Sequence, residues 1–161
     1  MSKANLIPEI RNYVSGHLEA VFDTMLSLKA LHQDGNATKD FPGERVTGMV
    51  GMAGEAVTGQ VYLHLTAPFS VRATAAMLGL APTEISGDAE VNDVIGEVTN
   101  MLAGGLKSWL CDAGAACALT TPAVIRGHSF TVTPKPDVQL ILINFECEGC
   151  KGLVEVHVKF N

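Results

Sequence analysis

Residues 89–113 carry an apolar stripe that commits them to one long helix lying on a broad surface. At about 100° per residue, Val91, Val94, Ile95, Val98, Met101, Leu102, Leu106 and Trp109 fall on a single face. Asp88 can cap the start, Glu90 suits the positive end of the helix dipole, and Gly114 stands where a C′ glycine would close the last turn. Other segments supply a surface for that stripe, because their period is two. Val46–Met52 leads through a turn at Gly54-Glu55 to Val57, Val61, Leu63 and Leu65, which alternate with Thr58, Gln60, Tyr62 and His64. Ser129–Thr133, Val138–Phe145 and Leu153–Phe160 also read as strands, with a short one at Ala118–Thr121. Pro8, Ile10, Val14, Leu18, Val21, Phe22 and Met25 define a first helix over residues 8 to about 28, with Pro8 at N1, and Pro68–Leu78 a short one closed by Gly79. The expected fold is α+β: a mainly antiparallel sheet packed with two long helices and one short helix, as a single domain over residues 1–161.

Composition narrows the function. The chain has 161 residues, a net charge of −6 and only 17% charged residues. Its basic residues are scattered, with no clustered positive charge for nucleic acid or an anionic membrane surface. The apolar runs are too short and interrupted to span a bilayer. Met1–Pro8 lacks a basic segment followed by an apolar one, so a cytoplasmic location with reduced cysteines is expected. Cys147-Glu-Gly-Cys150 has metal or redox spacing but no second ligand pair, and a tight hairpin turn at Glu148-Gly149 accounts for it better. No metal site is expected on this chain. His64 and His157 fall on the polar phase of alternating strands and are expected at the surface. The last run, Val154–Phe160, is a candidate sheet edge through which two copies could pair as a homodimer.

The face of the long helix opposite its apolar stripe is the informative one. Asp93, Glu97, Asn100, Gly104 and Lys107 lie within about 80° of arc there. Gly96, Gly104 and Gly105 sit inside the helix, where each glycine costs about 1 kcal/mol relative to alanine. Gly104, one turn beyond Asn100, would let another chain approach beside the amide. As bare residues, Glu97 and Asn100 could equally be polar groups on an exposed helix.

The extended pattern is more specific. Asp93-x-x-x-Glu97-x-x-Asn100, then Met101-Leu102-Ala103-Gly104 and Thr121-Pro122 further on, resembles the signature of the CheX/CheC family of chemotaxis phosphatases. Val46–Gly54 with Gly59-Gln-Val-Tyr62 resembles that family's hairpin, and Pro122–Gly127 the segment after its signature helix. The single strong copy is similar to the CheX type. Glu9-x-x-Asn12 in the first helix lacks the flanking residues and reads as a solvated face, although two-site members of the family place a copy on that helix.

The resemblance implies hydrolysis of the aspartyl phosphate of a CheY-like response regulator. It implies that Asn100 orients the attacking water and that Glu97 pairs with the regulator's active-site lysine. Asp93, Gly104 and Lys107 would then contribute to partner binding. It implies no cofactor on this chain, the Mg2+ belonging to the regulator's acidic pocket, and a homodimer. A non-catalytic module that docks or sequesters the regulator through the same face is the alternative.

Overall fold

The structure, a computed structural model, describes residues 3–35, 37–41 and 43–161. The first apolar stripe forms α1, Lys3–Val21, which buries Leu6, Ile10, Val14 and Leu18. The helix starts earlier than Pro8, which lies inside it. A proline there leaves the carbonyl four residues earlier without its helical partner, and the buried Leu6 offsets this with an added core contact. The helix runs into a π-helical turn, Phe22–Leu26, and ends at Ser27 with φ +52°. The extra residue in that turn shifts the stripe, so that Leu26 is buried while Met25, expected in the core, is exposed.

The sheet comprises β1 (Leu31–His32), β2 (Glu44–Ala53), β3 (Val57–Thr66), β4 (Ala118–Leu119), β5 (Ala123–His128), β6 (Gln139–Cys147) and β7 (Cys150–Phe160). All pairings are antiparallel, in the order β1-β6-β7-β3-β2, with β4 and β5 following one another along the outer edge of β2. Helix α2, Ala67–Leu78, is capped by the Thr66 hydroxyl and closed by Gly79 at φ +69°. Helix α3 spans Asp88–Asp112. Its N-cap is Gly87 rather than Asp88, whose carboxylate instead lies 3.6 Å from Arg126 Nε. The three helices cover one face of the sheet, where Phe22, Phe69 and Phe145 meet edge to face at 5.4–6.0 Å. Among the described residues no helix is long and apolar enough to cross a membrane.

Two strand expectations are corrected. Ser129–Thr133 forms no strand: Ala123–His128 occupies the β2 edge from Glu44 to Met49, and Ser129 turns the chain away at φ +53°. Phe130 and Val132 alternate with polar neighbours because the segment lies across the sheet, with the Phe130 ring 4.6 Å from the Arg45 guanidinium carbon. Val154–Phe160 is not an edge, since β7 is bonded to β6 on one side and β3 on the other. Its strict alternation reflects a strand whose two faces meet different layers. The turn between β6 and β7 falls at Glu148-Gly149, with φ of +49° and +80°, the positive pair that a two-residue hairpin of type I′ requires.

The polar phase of the sheet is the larger correction. His64 and His157 are 0% and 5% exposed. Register places Thr47 beside His64, Tyr62 beside Glu155 and Gln60 beside His157 on the face away from the helices. Segments 37–41 and 129–135 cover that face: Lys39 Nζ donates to the Val132 carbonyl at 2.7 Å and lies 3.5 Å from Glu155, while Phe41 and Phe130 flank Arg45. The Thr47 hydroxyl donates to His64 Nδ1 at 2.7 Å, and His64 Nε2 donates to Glu155 at 3.0 Å. Burial pushes the His64 imidazole below its ordinary range despite the bond to Glu155. Burial pushes the Glu155 carboxyl upward, but its bonds from His157 and His64 and the charge of Lys39 outweigh this and hold it down at about 2.

Candidate functional site

Helix α3 brings the sequence-marked residues onto one outward face. Val91, Val94, Ile95, Val98, Leu102 and Leu106 are buried, with Met101 and Trp109 packed at the margin of the core. Asp93, Glu97 and Lys107 are exposed, and Asn100 and Gly104 are half-buried. Glu97 and Asn100 are three positions apart, which sets their Cβ atoms about 5–6 Å from each other on one side of the helix. Among the described residues, the side chains of Asp93, Glu97 and Asn100 make no hydrogen bond or ion pair. No polar interaction within the described residues accounts for these three side chains.

The helix that presents them is held firmly. Near its start, Arg126 of β5 donates to Asn92 Oδ1 at 3.1 Å and lies 3.9 Å from Glu44 of β2. Mid-helix, Thr99 is fully buried and its hydroxyl lies where a side chain on Gly48 of β2 would be, 1.9 Å from a Cβ built there. Further on, His17 of α1 bonds the Met101 carbonyl at 3.1 Å and stacks on Tyr13, which reaches Trp109. Arg126, Thr99, Gly48 and His17 were not legible as supports of this face. Gly48 inside a strand was the available signal, since a strand glycine marks a close approach.

The helix-interior glycines now separate. A Cβ on Gly96 would meet Pro122 at 3.5 Å, an ordinary contact with the segment leading into β5. A Cβ on Gly105 would fall 2.1 Å from His17 Nε2. A Cβ on Gly104 would meet nothing within 4 Å. Gly105 is therefore required by packing within the chain, and Gly104 is not. Gly105→Ala should lose about 1–3 kcal/mol in urea denaturation through overpacking against a doubly held imidazole. Gly104→Ala should be neutral or gain up to about 1 kcal/mol from helix propensity.

On α1, Glu9 and Asn12 are also exposed, and Gly16 also has open space around it. Among the described residues no group of three or more His, Cys, Asp or Glu side chains is placed to hold a metal ion. The chemistry available on α3 is thus an amide with both a donor and an acceptor, beside a carboxylate, on an exposed rigid face with unobstructed backbone at Gly104.

Comparison with known proteins fits this geometry. No curated protein sequence matches the chain. Among solved structures, the chemotaxis protein CheX from Vibrio vulnificus is 28% identical over 94% of this chain and 99% of its own, with a TM-score of 0.81. A CheC-like superfamily protein from Shewanella sp. PV-4 is 30% identical over 94% of this chain and 97% of its own, with a TM-score of 0.80. The CheX–CheY–BeF3–Mg2+ complex from Borrelia burgdorferi shares the fold at 20% identity, covering 95% of this chain and 97% of that one, with a TM-score of 0.71. The family model described as chemotaxis phosphatase CheX matches residues 46–146, which contain most of β2, β3, the whole of α3 and its β5 support, and the chain belongs to that family.

Proposed function

We propose that this protein hydrolyses the aspartyl phosphate of a CheY-like response regulator, with Asn100 orienting the attacking water and Glu97 docking the regulator. The observation that carries this reading is the pair itself: the side chains of Glu97 and Asn100 have no polar partner among the described residues, yet stand on a helix held by Arg126, by Thr99 against Gly48 and by His17. An acyl phosphate is reactive, so a catalyst has mainly to place water in line with phosphorus without adding repulsion. The Asn100 amide can accept from and donate to a water while remaining neutral beside the phosphoryl oxygens. Glu97 supplies the charge that pairs with a lysine of the regulator, and Asp93 and Lys107 extend the same face. Gly104 leaves room for the partner's backbone, so Gly104→Ala should weaken docking without loss of stability. The Mg2+ that phosphoryl chemistry uses would reside in the regulator, as the Borrelia burgdorferi complex of the same fold contains CheY together with Mg2+.

The protein is proposed to act in the cytoplasm, where response regulators reside. In a homodimer, sheet pairing would fall to the β1 edge or to the β4 and β5 edge, where Leu31 and Ile125 are 54% and 39% exposed, because β7 is internal.

Docking and chemistry separate experimentally. Glu97→Ala should raise KM for the phosphorylated regulator about tenfold or more while kcat changes little, because the lost interaction serves binding alone. An unchanged KM would remove the docking role from Glu97. Regulator binding through Glu97 with no hydrolysis by the parent protein would instead select the non-catalytic module.

A further inference from the structure

We propose that Cys147 and Cys150 form a redox-active dithiol, which peroxides oxidise to a reversible disulfide through attack by the Cys150 sulfur beside Arg72. The site lies at the β6–β7 hairpin and is independent of the phosphatase reading.

The turn that accounts for the Cys-x-x-Cys spacing also brings the two thiols together. Glu148 and Gly149 occupy the loop, so Cys147 and Cys150 stand directly opposite in the β6–β7 register. Both are free cysteines. Opposed residues of an antiparallel pair have Cα atoms about 4.5–5.5 Å apart, inside the span of about 4.4–6.8 Å that a disulfide bridges. Their Cβ atoms stand about 4.5–5.5 Å apart, slightly wider than the roughly 3.5–4.5 Å of a relaxed bridge. Bridging therefore draws the strands together, and a bridge closed under strain is the kind that reductants reopen.

Their surroundings divide the roles. Cys147 is 3% exposed within the core, and burial pushes its thiol up. It is the protonated partner, shielded from an oxidant. Cys150 is half-buried and lines a surface cavity of about 580 Å3 beside Glu44, Thr66, Pro68 and Lys151, which gives a small peroxide access to its sulfur. Arg72 of α2 donates from Nη1 to Cys150 Sγ at 3.4 Å, while its Nη2 pairs with Glu148 of the turn. That ion pair holds the guanidinium at the hairpin, and a guanidinium donor beside a thiol favours the nucleophilic thiolate.

In the first step the Cys150 thiolate attacks one peroxide oxygen. An S–O bond forms as the O–O bond breaks, and the leaving oxygen takes a proton from solvent as water or an alcohol. In the second step the Cys147 sulfur attacks the resulting sulfenic acid. The S–S bond forms as the S–O bond breaks, and the departing hydroxide carries away the Cys147 proton as water. The dithiol loses two electrons and the peroxide gains them.

The test treats the reduced full chain with stoichiometric hydrogen peroxide, alkylates the remaining thiols and reads tryptic peptide masses. Residues 127–151 carry Cys147 and Cys150 on one peptide, and residues 108–126 carry Cys111 and Cys117 as an internal reference. The 127–151 peptide is expected to lose two hydrogens and escape alkylation before 108–126 does, and excess reduced glutathione should restore it. Arg72→Gln should slow bridging about tenfold by removing the donor to Cys150. Cys147→Ser should stop at a sulfenic acid on Cys150, which dimedone traps. Failure of the 127–151 peptide to bridge would overturn the proposal, as would an unchanged rate in Arg72→Gln or a bridge that glutathione leaves closed.

Discussion

Asn100→Ala should abolish stimulated dephosphorylation of the regulator while leaving the protein folded and the complex measurable. The loss should be at least about a hundredfold in kcat, the scale on which single preorganised polar groups act in a transition state. The fold gives no reason for collateral damage. Asn100 is half-buried at the outer face of α3, its side chain makes no hydrogen bond among the described residues, and alanine is the better helix former. Asn100→Asp is the sharper companion, because it keeps the shape but adds a carboxylate that repels the phosphoryl group. Single-turnover phosphate release, measured beside regulator binding, separates these effects. Asn100→Ala with full kcat would show that the amide does not place the water.

The second large effect is on stability and comes from the opposite face of the sheet. Glu155 is 1% exposed and accepts bonds from His64 and His157, with Lys39 at 3.5 Å. Removing it by Glu155→Ala strands those donors in a dry site and should destabilise the protein by about 3–5 kcal/mol, the range for breaking a buried ionic cluster by deleting one member. The same cluster makes the fold acid-sensitive. The Glu155 carboxyl is held at about 2 against an ordinary 4.5, so its stabilising contribution is full above 4.5 and disappears as pH falls toward 2. His64 is held neutral below its ordinary 6.5, so under mildly acidic conditions the unfolded chain takes up a proton that the folded chain refuses. Both contributions have the same sign. Urea midpoints should be flat above about pH 7, fall as pH drops below 6.5, and fall further below 4.5. His64→Gln should flatten the upper part of that decline.

Much of the fold was legible because the two periodicities are clean. The α3 stripe, the β2–β3 hairpin, α2 with its terminal Gly79 and the type I′ turn at Glu148-Gly149 follow from spacing and local turn chemistry. What the pattern does not reveal is the third layer. Thr47, Gln60, Tyr62, His64, Glu155 and His157 alternate with core residues as surface residues would, but the irregular segments 37–41 and 129–135 lie over their face. Alternation distinguishes the two sides of a strand without saying which side meets water. Strand order has the same blind spot. β7 ends the sequence but sits between β6 and β3, because antiparallel pairing across the sheet is set by long-range packing.

The site was more legible than its support. Asp93, Glu97, Asn100, Gly104 and Lys107 share a face by helical geometry alone, and the roles proposed for them rest on the extended motif. Arg126, Thr99, Gly48 and His17, which hold that face in place, act across large sequence separations that no local spacing records. Gly105 is the instructive case. It stands next to Gly104 in sequence, but its lack of a side chain is explained by His17 inside the molecule, whereas that of Gly104 is not.

The central claim is that the α3 face speeds loss of an aspartyl phosphate. The direct measurement is the time course of phosphate loss from a phosphorylated CheY-like regulator of the same organism, with catalytic amounts of this protein and without it. The account predicts release that accelerates with added protein, saturates with regulator concentration and continues for many turnovers per chain. Decay at the regulator's own rate, at protein concentrations where the two demonstrably bind, would contradict it.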